Sequence, residues 1–209
     1  MTGKQLGFFF DADRCVMCHA CEVACKATRG VGLGVNWRKV IEIWQGTFPN
    51  VSRTFVSLSC LHCANPPCEK ACPTGAIAKR AQDGIVVVNE EKCTGCRECL
   101  PACPYGIPQF GLDGTMQKCD FCLERDMETA CTAPCPAGAL FSGTTEDLAR
   151  IAAAKGGQKL PGGEGPSIFM SNGRNLQMSS GDLSVRLRLP RGPEAAGMAH
   201  SAELSGGTG

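Results

Sequence analysis

Apolar residues fall along this chain in short bursts separated by turn residues, with no long periodic run. Four bursts read as short strands: Phe8 to Asp11, Val40 to Trp44, Thr54 to Ser59, and Ile85 to Asn89, the last led in by the turn pair Asp83-Gly84. Between them, cysteine-bearing loops are expected to lead into helical turns after the fourth cysteine of each group. Beyond about residue 150 the pattern changes. Gly156-Gly157, Pro161-Gly162-Gly163 and Gly165-Pro166 make a turn-rich stretch, and Leu183-Ser184-Val185-Arg186-Leu187-Arg188-Leu189 then alternates like a strand suited to a partner's sheet edge. Residues 191–209 are small and polar and are read as disordered.

Composition sharpens this picture. The 209 residues include 26 Gly and 13 Pro, which implies a loop-rich chain with a small apolar core, and 16 Cys, which is about 8% of positions and unusually high. Lys+Arg 21 against Asp+Glu 20 leaves a formal charge of +1 with no compact basic cluster, so nucleic acid is not an expected partner. The longest notable apolar runs, Phe8-Phe9-Phe10 and Ile85-Val86-Val87-Val88, fall far short of the roughly 18 residues of a membrane span, so no direct membrane span is expected. Met1-Thr2-Gly3-Lys4-Gln5 has neither a charged and apolar leader pattern nor a twin-Arg pair. The expectation is a cytoplasmic chain, periplasmic only if exported with a signal-bearing partner. No Ser/His/Asp set, P-loop or dinucleotide fingerprint occurs, so no catalytic residues are nominated.

The cysteines form four groups of four. They are Cys15, Cys18, Cys21, Cys25; Cys60, Cys63, Cys68, Cys72; Cys93, Cys96, Cys99, Cys103; and Cys119, Cys122, Cys131, Cys135. The last three groups end alike, in Cys72-Pro73-Thr74-Gly75, Cys103-Pro104-Tyr105-Gly106 and Cys135-Pro136-Ala137-Gly138, which marks internal repeats; the first group instead places Lys26 after Cys25. A disulfide framework would need a secreted chain, and cysteines this crowded cannot all reach distant partners. Structural zinc usually pairs two Cys-x2-Cys knuckles across a spacer. Three closely spaced thiolates followed by Cys-Pro match iron–sulfur ligation instead, where a short loop covers one face of a cubane and the fourth cysteine reaches a neighbouring cluster. Four groups then imply four 4Fe-4S clusters.

At this point the chain resembles a known family, the four-cluster ferredoxin-like electron-transfer (beta) subunit of the DMSO reductase superfamily of molybdopterin oxidoreductases. The resemblance covers about residues 5–170. It rests on the four-group layout with its long gap inside the last group, together with Gly7-Phe8-Phe9-Phe10-Asp11, Gly34-Val35-Asn36-Trp37-Arg38-Lys39-Val40, Cys60-Leu61-His62-Cys63, Lys118-Cys119-Asp120-Phe121-Cys122 and Pro166-Ser167-Ile168-Phe169.

The resemblance implies a nested ligand set. Cys15, Cys18 and Cys21 would share a cluster with Cys135, and Cys25 would join Cys119, Cys122 and Cys131. Cys60, Cys63 and Cys68 would share with Cys103, and Cys72 would join Cys93, Cys96 and Cys99. The fold expected is α+β, with two ferredoxin-like lobes each holding two clusters. One lobe would be discontinuous, residues 5–49 plus 113–150; the other would span 50–112; and 151–209 would be an extended C-terminal segment able to wrap a partner.

Four clusters at about −2 each would take the chain from +1 to about −7, so cations beside the cysteines matter, and Lys26, Lys92, Arg97 and Lys118 are the candidates. His19 and His62 lie inside cysteine loops, but with sixteen cysteines available they are read as loop or hydrogen-bonding residues, and Trp37 as packing. The function implied is that of a non-catalytic electron-transfer subunit, working between a large molybdopterin (Mo or W) catalytic subunit and a membrane anchor subunit or soluble carrier. Alternatives are the equivalent subunit of a tungsten aldehyde oxidoreductase, formate dehydrogenase or hydrogenase complex, and, more distantly, a structural zinc-binding interaction protein.

Overall fold

The computed structural model describes residues 4–125 and 129–171. In chain order its elements are β1 (Leu6–Phe10), α1 (Ala20–Thr28), β2 (Lys39–Gln45), β3 (Ser52–Leu58), α2 (Pro67–Lys70), β4 (Ile77–Lys79), β5 (Val86–Val88), α3 (Cys99–Ala102), β6 (Gln109–Phe110), β7 (Met116–Gln117), β8 (Leu140–Thr144), α4 (Thr145–Ala154), β9 (Gly157–Lys159) and β10 (Ile168–Ser171). Four strands form one sheet in the order β8-β1-β10-β9, while β2-β3, β4-β5 and β6-β7 are separate antiparallel pairs. No helix among the described residues is long and apolar enough to cross a membrane.

The spine of the main sheet is β1, and all five of its residues are buried. Phe8 and Phe10 enter the principal core with Val40, Ile43, Val56 and Phe121, whereas Phe9 faces the other way, against Leu148 and Ala152 of α4 and Phe169 of β10. A strand covered on both faces reads as a continuous apolar run instead of an alternation, which accounts for Phe8-Phe9-Phe10. Thr144 caps α4 by accepting the Asp147 N–H at 3.1 Å, and this helix turns its apolar face onto the sheet.

Of the segment 151–209 expected to be extended, residues 151–171 are described, and they are folded onto the main sheet. They finish α4, form β9, and place β10 parallel to β1, with Phe8, Phe9 and Phe10 opposite Ile168, Phe169 and Met170. The run is too short to announce a strand by periodicity; the vacant edge of β1 makes it one. Buried Asp11 locks this end of the sheet, taking Lys155 Nζ at 2.8 Å and the Ser171 hydroxyl at 3.3 Å. The preceding stretch is laced to the second cysteine loop, with Ala64 N–H on Gly165 O (2.8 Å), Asn65 N–H on Glu164 O (2.9 Å) and Ser167 N–H on Leu61 O (2.8 Å). The boundary expected between residues 49 and 50 passes through the tip of the β2-β3 hairpin, whose strands pair over their whole length. The alternating stretch Leu183 to Leu189 lies outside the described residues.

Helical turns also sit one step earlier than expected. They run from the third cysteine towards the fourth in the first three groups, as in α1, α2 and α3, and the Cys-Pro-x-Gly segments are reverse turns instead. Gly75, Gly106 and Gly138 donate N–H to the carbonyls of Cys72, Cys103 and Cys135 at 3.3, 3.1 and 3.1 Å. Each of these glycines has a positive φ that suits it to close such a turn.

Gly7 permits the close approach of β1 to the segment leading into β10: a Cβ there would lie 2.1 Å from the Ser167 carbonyl oxygen. Gly7→Ala is expected to cost about 1–3 kcal/mol. Gly143→Ala, directly opposite in β8 with its nearest contact at 4.0 Å, is expected to be near neutral. Thermal unfolding of the two variants followed by circular dichroism checks the contrast.

Candidate metal centres

The sixteen cysteines are all unpaired thiols in the structure, and they gather in fours. Cys15, Cys18, Cys21 and Cys135 line one hollow with Phe10, Val40 and Leu140. Cys60, Cys63, Cys68 and Cys103 line a second with Leu61, Val86 and Tyr105. Cys72, Cys93, Cys96 and Cys99 line a third with Ile77, Phe110 and Met116. Cys25, Cys119, Cys122 and Cys131 face one another closely enough for their charges to act on each other's thiols. The first and fourth groups of the sequence thus share two sites, and the second and third share the other two.

Helical turns make the sharing possible. Cys21 and Cys25 stand four residues apart on α1; Cys68 and Cys99 lie on α2 and α3, with Cys72 and Cys103 at the same spacing just past the ends of those helices. A rise of 1.5 Å per residue separates such a pair by about 6 Å, so one turn lends a thiol to each of two adjacent sites. Left-handed backbone at Met17, His19, His62, Arg97, Phe121 and Cys122 curls the loops. Amide groups then reach the sulfurs: Ala139 N–H lies 3.3 Å from Cys135 Sγ, Phe121 N–H 3.4 Å from Cys119 Sγ, and Met116 N–H 3.4 Å from Cys93 Sγ.

These hollows test the choice between a single ion and a cluster. Zinc with sulfur at about 2.3 Å would draw its thiolates to within about 3.8 Å of one another. Among the described residues no three His, Cys, Asp or Glu side chains are close enough to hold one metal ion. Each of the three hollows is instead walled by four cysteines together with apolar side chains. All-sulfur donors spread around an apolar hollow fit a 4Fe-4S cluster.

Electrostatics point the same way. Burial pushes the thiols of Cys25, Cys63 and Cys68 up to about 12 and that of Cys99 up to about 11, and neighbouring thiolates add to each shift. Cys119 is raised further by the same causes. Cys72 is the exception: its slight burial pushes upward, but the Thr74 hydroxyl and the N–H groups of Ile77, Ala76 and Thr74 outweigh it and hold the thiol low. Most of these hollows resist bare thiolates and need a positive metal core to hold them.

Of the cations nominated from sequence adjacency, only Lys118 is buried, with Nζ donating to Val86 O and, at 3.1 Å, to Cys119 O. Lys26 spends its charge on the carbonyls of Gly32 and Val35, both at 2.8 Å. Lys92 and Arg97 are exposed, the latter lying over Phe110. The sequence reading missed Arg38, which is 2% exposed and donates to Ser57 Oγ (3.2 Å) and Ser59 Oγ (2.9 Å). It also missed Lys79, which donates to Cys63 O at 3.0 Å and Gly84 O at 2.7 Å. The one available signal was an arginine set into the apolar approach to a strand, Trp37-Arg38-Lys39-Val40.

His62 is buried, accepts the Val86 N–H on Nδ1 at 3.1 Å and meets Phe121 edge-on. Burial, with Lys118, Lys79 and Arg38 nearby, keeps it neutral. His19 lines the first hollow and pairs with Glu22 at 3.2 Å. Trp37 donates to Gln117 at 3.4 Å under the Arg29 guanidinium, a packing role.

Residues 51–145, which carry the last three cysteine groups, match the family described as a 4Fe-4S dicluster domain. The chain is similar to a component of the anaerobic dimethyl sulfoxide reductase of Haemophilus influenzae, 42% identical over 158 residues that cover 69% of this chain and 77% of that protein. It is also similar to a formate dehydrogenase iron-sulfur subunit of Wolinella succinogenes, 36% identical over 173 residues covering 70% and 85%. A third relative is a sulfite dehydrogenase subunit of Allochromatium vinosum, 36% identical over 168 residues covering 68% and 70%.

Because the buried thiols are held protonated at neutral pH, binding metal must release their protons, and uptake improves as pH rises. Anaerobic reconstitution at about pH 8.5 is expected to incorporate iron severalfold faster than at about pH 6.5, with protons released in step. Iron per chain against time at the two pH values is the measurement.

Proposed function

The protein belongs to the iron–sulfur beta-subunit family of the molybdopterin oxidoreductases, and on that premise we propose that it carries electrons along four 4Fe-4S sites between a large molybdenum or tungsten pterin subunit and a second redox partner. It is a non-catalytic, electron-transfer part of an oxidoreductase complex. A bound 4Fe-4S cluster supplies one-electron storage at a potential set by its net charge, its hydrogen bonds and its exposure.

In this reading Cys15, Cys18, Cys21 and Cys135 hold the first site, and Cys25, Cys119, Cys122 and Cys131 the second. Cys60, Cys63, Cys68 and Cys103 hold the third, and Cys72, Cys93, Cys96 and Cys99 the fourth. The first two sites are joined through α1 and the last two through α2 and α3. Lys118 links the middle pair, since it touches the backbone of Cys119 and its charge acts on Cys68. The order is therefore a series, divided into two ferredoxin-like lobes of two sites each.

The observation that carries this reading is where the series opens to solvent. Cys18 and Cys96 are the two exposed cysteines, and they belong to the first and fourth sites. Val16 stands exposed beside Cys18, Val23 is exposed on α1, and Leu112 is exposed on the loop that Gly114 packs against Gly95, next to Cys96. Each end thus offers an exposed thiol near apolar side chains to a docking partner, whereas the cysteines of the two middle sites are buried or half-buried.

Metal analysis of the anaerobically purified complex, captured through a tag on this chain, tests the reading. About sixteen irons per copy of this chain, in addition to those of the partner, with molybdenum or tungsten co-purifying, is the expected result. Iron without either metal removes the pterin partner, and zinc in place of iron removes the redox function.

A further inference from the structure

We infer that Arg38 is a shared counter-charge for the first and second cluster sites and holds both at a higher reduction potential than the chain would otherwise give them. The inference rests on the four-cluster reading above. Arg38 opens the approach to β2 and is among the largest fully buried side chains of the chain. A buried guanidinium demands compensation, and burying one beside neutral groups alone is costly. Its hydrogen-bond partners, Ser57 and Ser59, are neutral, its Nε has no partner, and its flat face lies over Phe8 at 4.5 Å. None of the ion pairs among the described residues includes it.

The groups whose charge acts on it are cysteines. Burial would pull the guanidinium down, but Cys131, Cys119, Cys21 and Cys25 outweigh it. Three of these belong to the second site and one, Cys21, to the first. The link to the first site is direct, since the Ser57 hydroxyl that takes Arg38 Nη1 at 3.2 Å lies 3.5 Å from Cys21 Sγ and lines the same hollow. Towards the second site, the Phe8 ring under the guanidinium packs at 4.8 Å on Phe121, which stands between Cys119 and Cys122. The cation therefore lies between the two sets of thiols and would be compensated by the clusters they hold. A fixed positive charge favours the state carrying one more electron, so both neighbouring potentials rise. The third site has Lys118 and Lys79 beside it, whereas the cations nearest the fourth, Lys92 and Arg97, are both exposed.

The test is a potentiometric titration of the purified complex followed by electron paramagnetic resonance, comparing Arg38→Met, Arg38→Gln and Arg38→Lys with the parent chain. In the Met and Gln variants two midpoints are expected to fall by at least the equivalent of a tenfold change in the reduced-to-oxidised ratio, about 59 mV for one electron. The other two should stay in place, and Lys, which keeps the charge, should restore most of the shift. If the neutral variants fail to hold metal, loss of the iron of two clusters with full retention in Arg38→Lys carries the same meaning. Unmoved midpoints, four midpoints moving together, or a Lys variant as impaired as Met overturns the role assigned to Arg38. A parent complex without four iron–sulfur signals attributable to this chain overturns the four-cluster reading instead.

Discussion

Crowding many thiolates into a small interior is the constraint on which the rest of this structure depends. Four sulfurs around one apolar hollow repel one another and lose the solvation that would make their charge tolerable, and burial duly raises most of the thiols whose values shift. Without metal these thiols stay protonated, and only a positive core lets them bind as thiolates. The cysteine hollows are therefore where binding free energy becomes folding free energy, and the modest apolar core around them has less to do than in an ordinary chain of this length.

The backbone meets this constraint with very short pieces. Four-residue helices such as α2 and α3 would not persist alone, yet each fixes the offset between a thiol of one site and a thiol of the next. Reverse turns after the fourth cysteines leave amide groups pointing at sulfur, as Ala139 does towards Cys135, so part of the negative charge is met before any side chain contributes. The larger sheet has a different task. Through β10 and the strand-like segment before it, the last described stretch of the protein is hydrogen-bonded to β1 on one side and to the second cysteine loop on the other, fastening together parts that are remote in sequence.

Buried cations complete the balance. Arg38 and Lys118 are buried and Lys79 half-buried, and the contacts that fix them are serine hydroxyls, a glutamine side chain and backbone carbonyls instead of carboxylates. They occupy the spaces between cysteine sets, where positive charge is shared among neighbours. Cations near the surface behave otherwise: Arg29 is engaged with Asp120 and Glu124, and Lys26 with two carbonyls, so adjacency to a cysteine in sequence did not place their charge at a site.

The cysteine spacing alone determined the chemistry of this protein, because three thiols on one tight loop have few other uses, and the repeated Cys-Pro-x-Gly tail marked the repeats. Phe8-Phe9-Phe10 likewise declared a strand, while its burial on both faces follows from α4 and the main core packing on opposite sides of it. Four further features depended on contacts between distant residues. Ile168-Phe169-Met170 becomes a strand only beside β1, the glycine-rich stretch before it is ordered only by the loop it binds, and the helical turns fall between third and fourth cysteines because one turn must reach two sites. Arg38 is the clearest case. Its importance comes from cysteines on three separate segments converging around it, and no local pattern records where a side chain that long will end.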